Sequence, residues 1–166
     1  MDHLWTPWRM TYLTEGSAGD GECVFCAKLK GSDDAANHVL YRGQHCFVTL
    51  NLFPYNNGHL MVVPNRHISA LEELDEAEVS ELMHITQLTL HVLKTAFNPQ
   101  GFNIGINQGQ VAGAGIAAHL HQHVVPRWGG DTNFTSVISE TRVIPEWIDQ
   151  TYTRLHAVWA DLFPQA

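Results

Sequence analysis

Histidine occupies every second position of His119-Leu120-His121-Gln122-His123, and Val124-Val125-Pro126 follows. A period of two is the signature of extended backbone, where successive side chains alternate between faces and rise about 3.3 Å per residue. The spacing predicts one strand with three imidazoles along one face, roughly 6 to 7 Å apart, and Leu120, Gln122 and Val124 on the other. Rings that are near neutral at cytosolic pH supply a nucleophile, a proton donor and a metal ligand within reach of one substrate. The pattern points to phosphoryl or nucleotidyl chemistry.

The rest of the chain builds a frame around that strand. At 166 residues, with 45% apolar and 16% charged residues, it has the size and composition of a single globular domain. Nine Lys and Arg against 17 Asp and Glu leave a net charge of −8, which argues against a broad nucleic-acid footprint. A small anionic substrate is still compatible, because local donors and a few Arg or His decide a small site. The sequence shows no long apolar run and no signal-like start, so the expectation is a cytoplasmic protein without membrane contact.

An N-terminal arm over residues 1–22 opens with the aromatic cluster Leu4-Trp5-Thr6-Pro7-Trp8 and passes into a loop-like stretch at Gly16 to Asp20. Trp5 and Trp8 suit packing on apolar surface better than stacking on a base. Strands are predicted at Val39 to Arg42, Cys46 to Leu52 and His59 to Pro64, separated by short turns that make a meander. Asp75 and Glu78 form a capping box for a helix from about Glu76 to Ala96, with Val79, Leu82, Met83, Thr86, Leu90, Leu93 and Phe97 at helical spacing. A strand from Phe102 to Asn107, a Gly/Ala loop from Gly109 to Ala117 and the histidine strand follow. Pro145 suits the first turn of a final helix, within a C-terminal extension over residues 144–163, whose stripe is Ile148, Tyr152, Leu155, Trp159 and Leu162. The whole reads as one domain, residues 1–166.

Cys23 and Cys26 are spaced for a metal or a redox pair, whereas Cys46 in an apolar run reads as a small buried hydrophobe. Two histidines completing a tetrahedron would make the pair a zinc site, with His67 and His119 as candidates. The redox alternative is the weaker, because a helix beginning at the motif is poorly signalled in Val24 to Gly31.

Gly58-His59-Leu60-Met61-Val62-Val63-Pro64, followed by His119 to Arg127, resembles the histidine triad, or HIT, superfamily of nucleotide hydrolases and transferases. The likeness covers roughly Cys23 to Arg127. The flanks Leu4 to Leu13 and Trp128 to Phe134 resemble the bacterial branch that includes diadenosine tetraphosphate phosphorylases. The resemblance implies an α+β HIT-like fold, an antiparallel sheet of about five strands with a long amphipathic helix and a C-terminal helix, paired as a homodimer. It implies His121 as nucleophile, with His123 and His59 completing the catalytic set. It also implies a structural zinc on Cys23, Cys26, His67 and His119, and no redox cofactor. Asn51 is implied as a ribose contact, with Asn107 and Gln108 near the phosphates. Where many relatives have Gly-Gln-Ser or Gly-Gln-Thr this chain has Ala114-Gly115-Ile116, so backbone N–H groups around Gly113 and Gly115 are the expected phosphate cradle.

The reaction so implied is nucleotidyl transfer through a nucleotidyl-histidine, most readily phosphorolysis of diadenosine tetraphosphate to ATP and ADP with inorganic phosphate as acceptor. A hydrolase of dinucleoside polyphosphates or nucleoside phosphoramidates, using water, is the first competitor. A non-catalytic nucleotide-binding sensor is the second.

Overall fold

The computed structural model describes residues 22–131 and 144–164. The aromatic arm before Glu22, and the Thr132 to Phe134 end of the flank, lie outside the described residues. The elements run α1 (Val24–Lys30), β1 (Val39–Arg42), β2 (Cys46–Leu50), β3 (Leu60–Pro64), α2 (Glu76–Phe97), β4 (Gly101–Ile106), β5 (Gln122–Arg127) and α3 (Ile148–Leu162). All strand pairs are antiparallel and form one five-stranded sheet, in the order β1-β2-β3-β5-β4.

Alternation divides the sheet into two faces. Even-numbered Cys46, Val48, Leu50, Leu60, Val62 and Val124 pack under Leu82, Ile85, Val92 and Leu93 of α2 and Tyr152, Leu155 and Trp159 of α3. Odd-numbered Phe47, Met61 and Val63 join Val39 and Phe25 of α1 on the opposite face, where the histidines also lie. The helical layer leaves that second face to α1 and the loops.

Local chemistry fixes the frame. Asp75 accepts the Glu78 N–H at 2.9 Å while Glu78 accepts the Asp75 N–H at 2.9 Å, which closes the capping box at the start of α2. Glu78 is also gripped by Arg66 through two hydrogen bonds of 2.8 and 2.7 Å. Glu81, one turn on, accepts the N–H groups of Gln44, His45 and Cys46 and so pins the β1–β2 turn to α2. Tyr152 Oη donates to the Val39 carbonyl at 3.1 Å, and Trp159 stacks on Tyr41, seating α3 on β1.

Several expectations need correction. A helix does begin at the Cys pair, with Cys23 as its N-cap. It escapes the sequence because it is seven residues long and has no capping side-chain bond. The last helix starts at Ile148 behind an N-cap at Trp147, so Pro145 precedes it instead of opening it. Val79 and Met83 are exposed, and the buried stripe of α2 runs through Leu82, Ile85, Thr86, Thr89, Val92 and Leu93. Thr86, already on the expected stripe, and Thr89 bond to carbonyls one turn back, which offsets the polar cost of burying their hydroxyls.

Candidate functional site

The histidine segment is not one continuous strand. The β3–β5 register pairs Leu60 with Val124, Met61 with His123 and Val62 with Gln122, so continuing it would set His121 against Val63 and then Leu120 against Pro64. Pro64 has no N–H to offer, and the ladder stops at Gln122. Leu120 donates its N–H to the Ile68 carbonyl at 2.6 Å, and His119 and His121 stand just ahead of β5. The three rings consequently divide between two tasks.

His119 turns toward α1. Its Nε2 lies 2.8 Å from the Pro64 carbonyl oxygen, which only accepts, so the proton is on Nε2 and Nδ1 carries the lone pair. That lone pair faces Cys23 Sγ at 3.3 Å and Cys26 Sγ at 3.7 Å, and His67 Nδ1 lies 3.3 Å from Cys26 Sγ. The four ligand atoms fall within 4.8 Å of one another. The sulfur–nitrogen edge of a tetrahedral zinc site with ordinary bond lengths is about 3.5 Å, so this donor set fits such an ion in both chemistry and spacing. Burial and the adjacent Cys23 thiol push the Cys26 thiol up. A divalent cation would reverse that tendency and hold both sulfurs as thiolates.

His121 and His123 meet edge to face, with centroids 4.9 Å apart and planes at 75°. His121 Nδ1 donates to the His119 carbonyl oxygen at 2.8 Å, which leaves the lone pair on Nε2. Burial lowers its pKa, opposed by that hydrogen bond, and the ring stays neutral. His59 is fully buried. Its Nδ1 accepts the Tyr55 N–H at 3.0 Å and is 3.3 Å from Asn51 Nδ2, so its proton must be on Nε2, 2.9 Å from His123 Nδ1. His123 therefore accepts from His59 at Nδ1, and in its neutral form it carries a proton on Nε2. Burial, with His123 and His121 beside it, pushes His59 down to about 3.

The other expected residues behave differently from one another. Asn51 spends its amide inside the chain, its Oδ1 accepting the Phe53 N–H at 3.0 Å and its Nδ2 facing His59. Asn107 follows Ile106, which pairs with Gln122, so the register sets it opposite His121. Gln108 is drawn away, accepting the Leu71 N–H at 2.9 Å and donating to Glu72 at 3.0 Å. Gly113 has φ of +91°, a left-handed conformation that suits glycine, while Gly115 lies in the following turn.

Two rings were missed in the sequence. Tyr55 lies 4.6 Å from His59 and 5.4 Å from His123, and Phe25 lies 5.1 Å from His121. Position between two cysteines was the signal available for Phe25. Tyr55 carried only its place in a Pro/Asn-rich turn. Gly58, at φ +72°, closes that turn, and an added Cβ there would sit 3.0 Å from the Phe97 ring.

A five-stranded antiparallel sheet, a histidine just before β5 with a free lone pair and a donor imidazole beside it define the class: this chain belongs to the HIT domain family, whose model matches residues 32–130. Among its relatives, AP-4-A phosphorylase of Mycobacterium tuberculosis is 43% identical across 96% of this chain and 85% of that protein. A crystal structure of a Zn-bound histidine triad family protein from Mycobacterium smegmatis superposes with a TM-score of 0.70 at 28% identity, covering 89% of this chain and all of that one. Diadenosine triphosphate hydrolase of Plasmodium falciparum, at 18% identity and a TM-score of 0.61 over 77% of this chain and 78% of that one, shares the fold. Among the described residues no helix is long and apolar enough to cross a membrane.

Proposed function

We propose that the protein is a nucleotidyl-transferring enzyme that cleaves diadenosine tetraphosphate with inorganic phosphate, giving ATP and ADP. The observation that carries the chemistry is the His121 Nδ1 bond to the His119 carbonyl, which presents Nε2 as a nucleophile. The likeness to AP-4-A phosphorylase across nearly the whole chain supports the substrate.

In the first step the Nε2 lone pair attacks the α-phosphorus, and the bond from phosphorus to the bridging oxygen breaks with its electron pair leaving on the polyphosphate. The positive charge that develops on His121 is met by the His119 carbonyl at Nδ1. The His123 Nε2–H hydrogen-bonds the oxygen where negative charge grows, with its direction fixed by His59. A leaving polyphosphate is weakly basic, since a phosphate monoester loses its second proton at a pKa of about 6, so it departs without needing protonation near neutrality. In the second step a phosphate oxygen attacks the same phosphorus and the phosphorus–nitrogen bond breaks, restoring His121 and releasing ADP. Phosphate arrives as an anion and needs no general base, whereas water would need one, and the His59–His123 chain offers donors.

Cys23, Cys26, His67 and His119 would hold a zinc ion. With four protein ligands its chemistry is structural, tying α1 to the histidine segment. Asn107, opposite His121, and the backbone around Gly113 and Gly115 are the proposed phosphate contacts. Asn51, in the turn that carries His59, borders the ribose side. The edge of β4 that no strand among the described residues pairs, with Ile104 exposed, supports a homodimer formed by joining two sheets edge to edge.

Incubation with diadenosine tetraphosphate, with and without phosphate, tests the proposal. Phosphate-dependent ADP formation is expected. Equal cleavage without phosphate would mean a hydrolase, and binding without turnover a sensor.

A further inference from the structure

Among the described residues, Phe25 is the aromatic side chain that touches both the Cys/His cluster and His121. It lies between Cys23 and Cys26 in the first turn of α1 and is 1% exposed. Its ring centroid is 5.3 Å from His119 at 72° and 5.1 Å from His121 at 46°. Phe47 backs it at 6.4 Å, edge to face. His123 meets His121 as well, so the nucleophile's imidazole is in contact with two rings.

That confinement matters because an imidazole is nearly symmetric in shape. A half-turn about its Cβ–Cγ bond would put Cε1 where Nε2 was and Cδ2 against the His119 carbonyl, removing the nucleophilic lone pair from the pocket. Loss of one neutral hydrogen bond opposes that turn by only roughly two- to tenfold. A ring packed against the imidazole limits its tilt, which keeps Nδ1 aligned on the His119 carbonyl and so preserves the hydrogen bond that selects this orientation. We propose that Phe25 is a positioning residue, wedging His121 in the orientation and tautomer that present Nε2 to phosphorus. The wedge is anchored by the cysteines on either side of it, which makes the firmness of α1 part of the catalytic geometry. The inference rests on His121 being the nucleophile.

Phe25→Leu keeps apolar bulk and removes the flat face. In the purified full-length protein it is expected to lower kcat about 10- to 100-fold while KM stays within about threefold, because misorientation penalises attack more than binding. Long-range proton–nitrogen NMR of His121 should show one Nδ1–H tautomer in the parent and an averaged mixture in the variant, a signature that simple loss of stability would not produce. If Phe25→Leu does not fold, Phe25→Met is measured in the same way. A kcat within twofold of the parent, or an unchanged single tautomer, overturns the inference. His121→Ala is run beside it. Turnover that survives His121→Ala refutes the nucleophile itself, whereas loss there with a parent-like Phe25→Leu refutes the wedge alone.

Discussion

Each of the four inner imidazoles has one nitrogen committed to a partner whose role is fixed by its chemistry. His119 and His121 donate to carbonyl oxygens, and His59 accepts from a backbone N–H and in turn directs His123. His59 has a thermodynamic consequence. Its folded pKa of about 3 lies below the ordinary 6.5, so on acidification the unfolded chain takes up a proton that the folded one refuses. Stability is unaffected by this group above 6.5 and falls as pH drops toward 3, at about 1.4 kcal/mol per pH unit. Urea unfolding at about pH 7 and about pH 5 should differ by about 2 kcal/mol from this source. His59→Asn should flatten the dependence, and an equally steep slope in that variant would contradict the assignment. These roles were legible in part. Alternating histidines announced a shared face, but which nitrogen holds a proton depends on Pro64, Tyr55 and the His119 carbonyl, partners distant in sequence or belonging to the backbone.

At the scale of elements, secondary structure with strong local signals was readable and short structure was not. The α2 capping box, the β1–β3 meander and the β4 and β5 strands follow from residue pattern. The seven-residue α1 does not, because a helix that short gains its stability from Phe25 packing and the Cys/His cluster. Pro64 shows the reverse case, a residue plainly visible in the sequence whose effect on the β3–β5 ladder appears only once the register is known. The same reasoning predicts what removing bound metal would do. Chelation should free α1 while sparing the α2 and α3 layer, so amide exchange should quicken across Val24–Lys30 and stay slow in Leu82 to Leu93. A tie worth a few kcal/mol corresponds to a drop of about 10 °C in Tm for a chain of this size. A Tm that chelation leaves unchanged would argue against a structural metal.

Over the whole molecule, one sheet separates two jobs. The α2 and α3 face supplies most of the core, and the other face carries the histidines, with α1 as a short brace. The net charge of −8 accords with the proposal that an anionic substrate is met by neutral donors and backbone groups instead of a basic patch. The α+β class was legible through the resemblance carried by the His59 and His119–Arg127 motifs, whereas the strand order was not, because β5 reaches its place between β3 and β4 through long-range pairing. Assembly was not, since an edge strand records only that it can pair. Ile104→Lys on the exposed edge of β4 should shift sedimentation from dimer toward monomer, and a dimer insensitive to that charge would place the interface elsewhere. The proposed reaction requires a covalent nucleotide at His121. Acid-quenched or rapidly frozen enzyme, mixed with diadenosine tetraphosphate in the absence of phosphate and analysed by peptide mass spectrometry, should carry adenylate on the peptide containing His121 and lose it when phosphate is added. Adenylate on another residue, or continued phosphate-dependent turnover by His121→Ala, would contradict it.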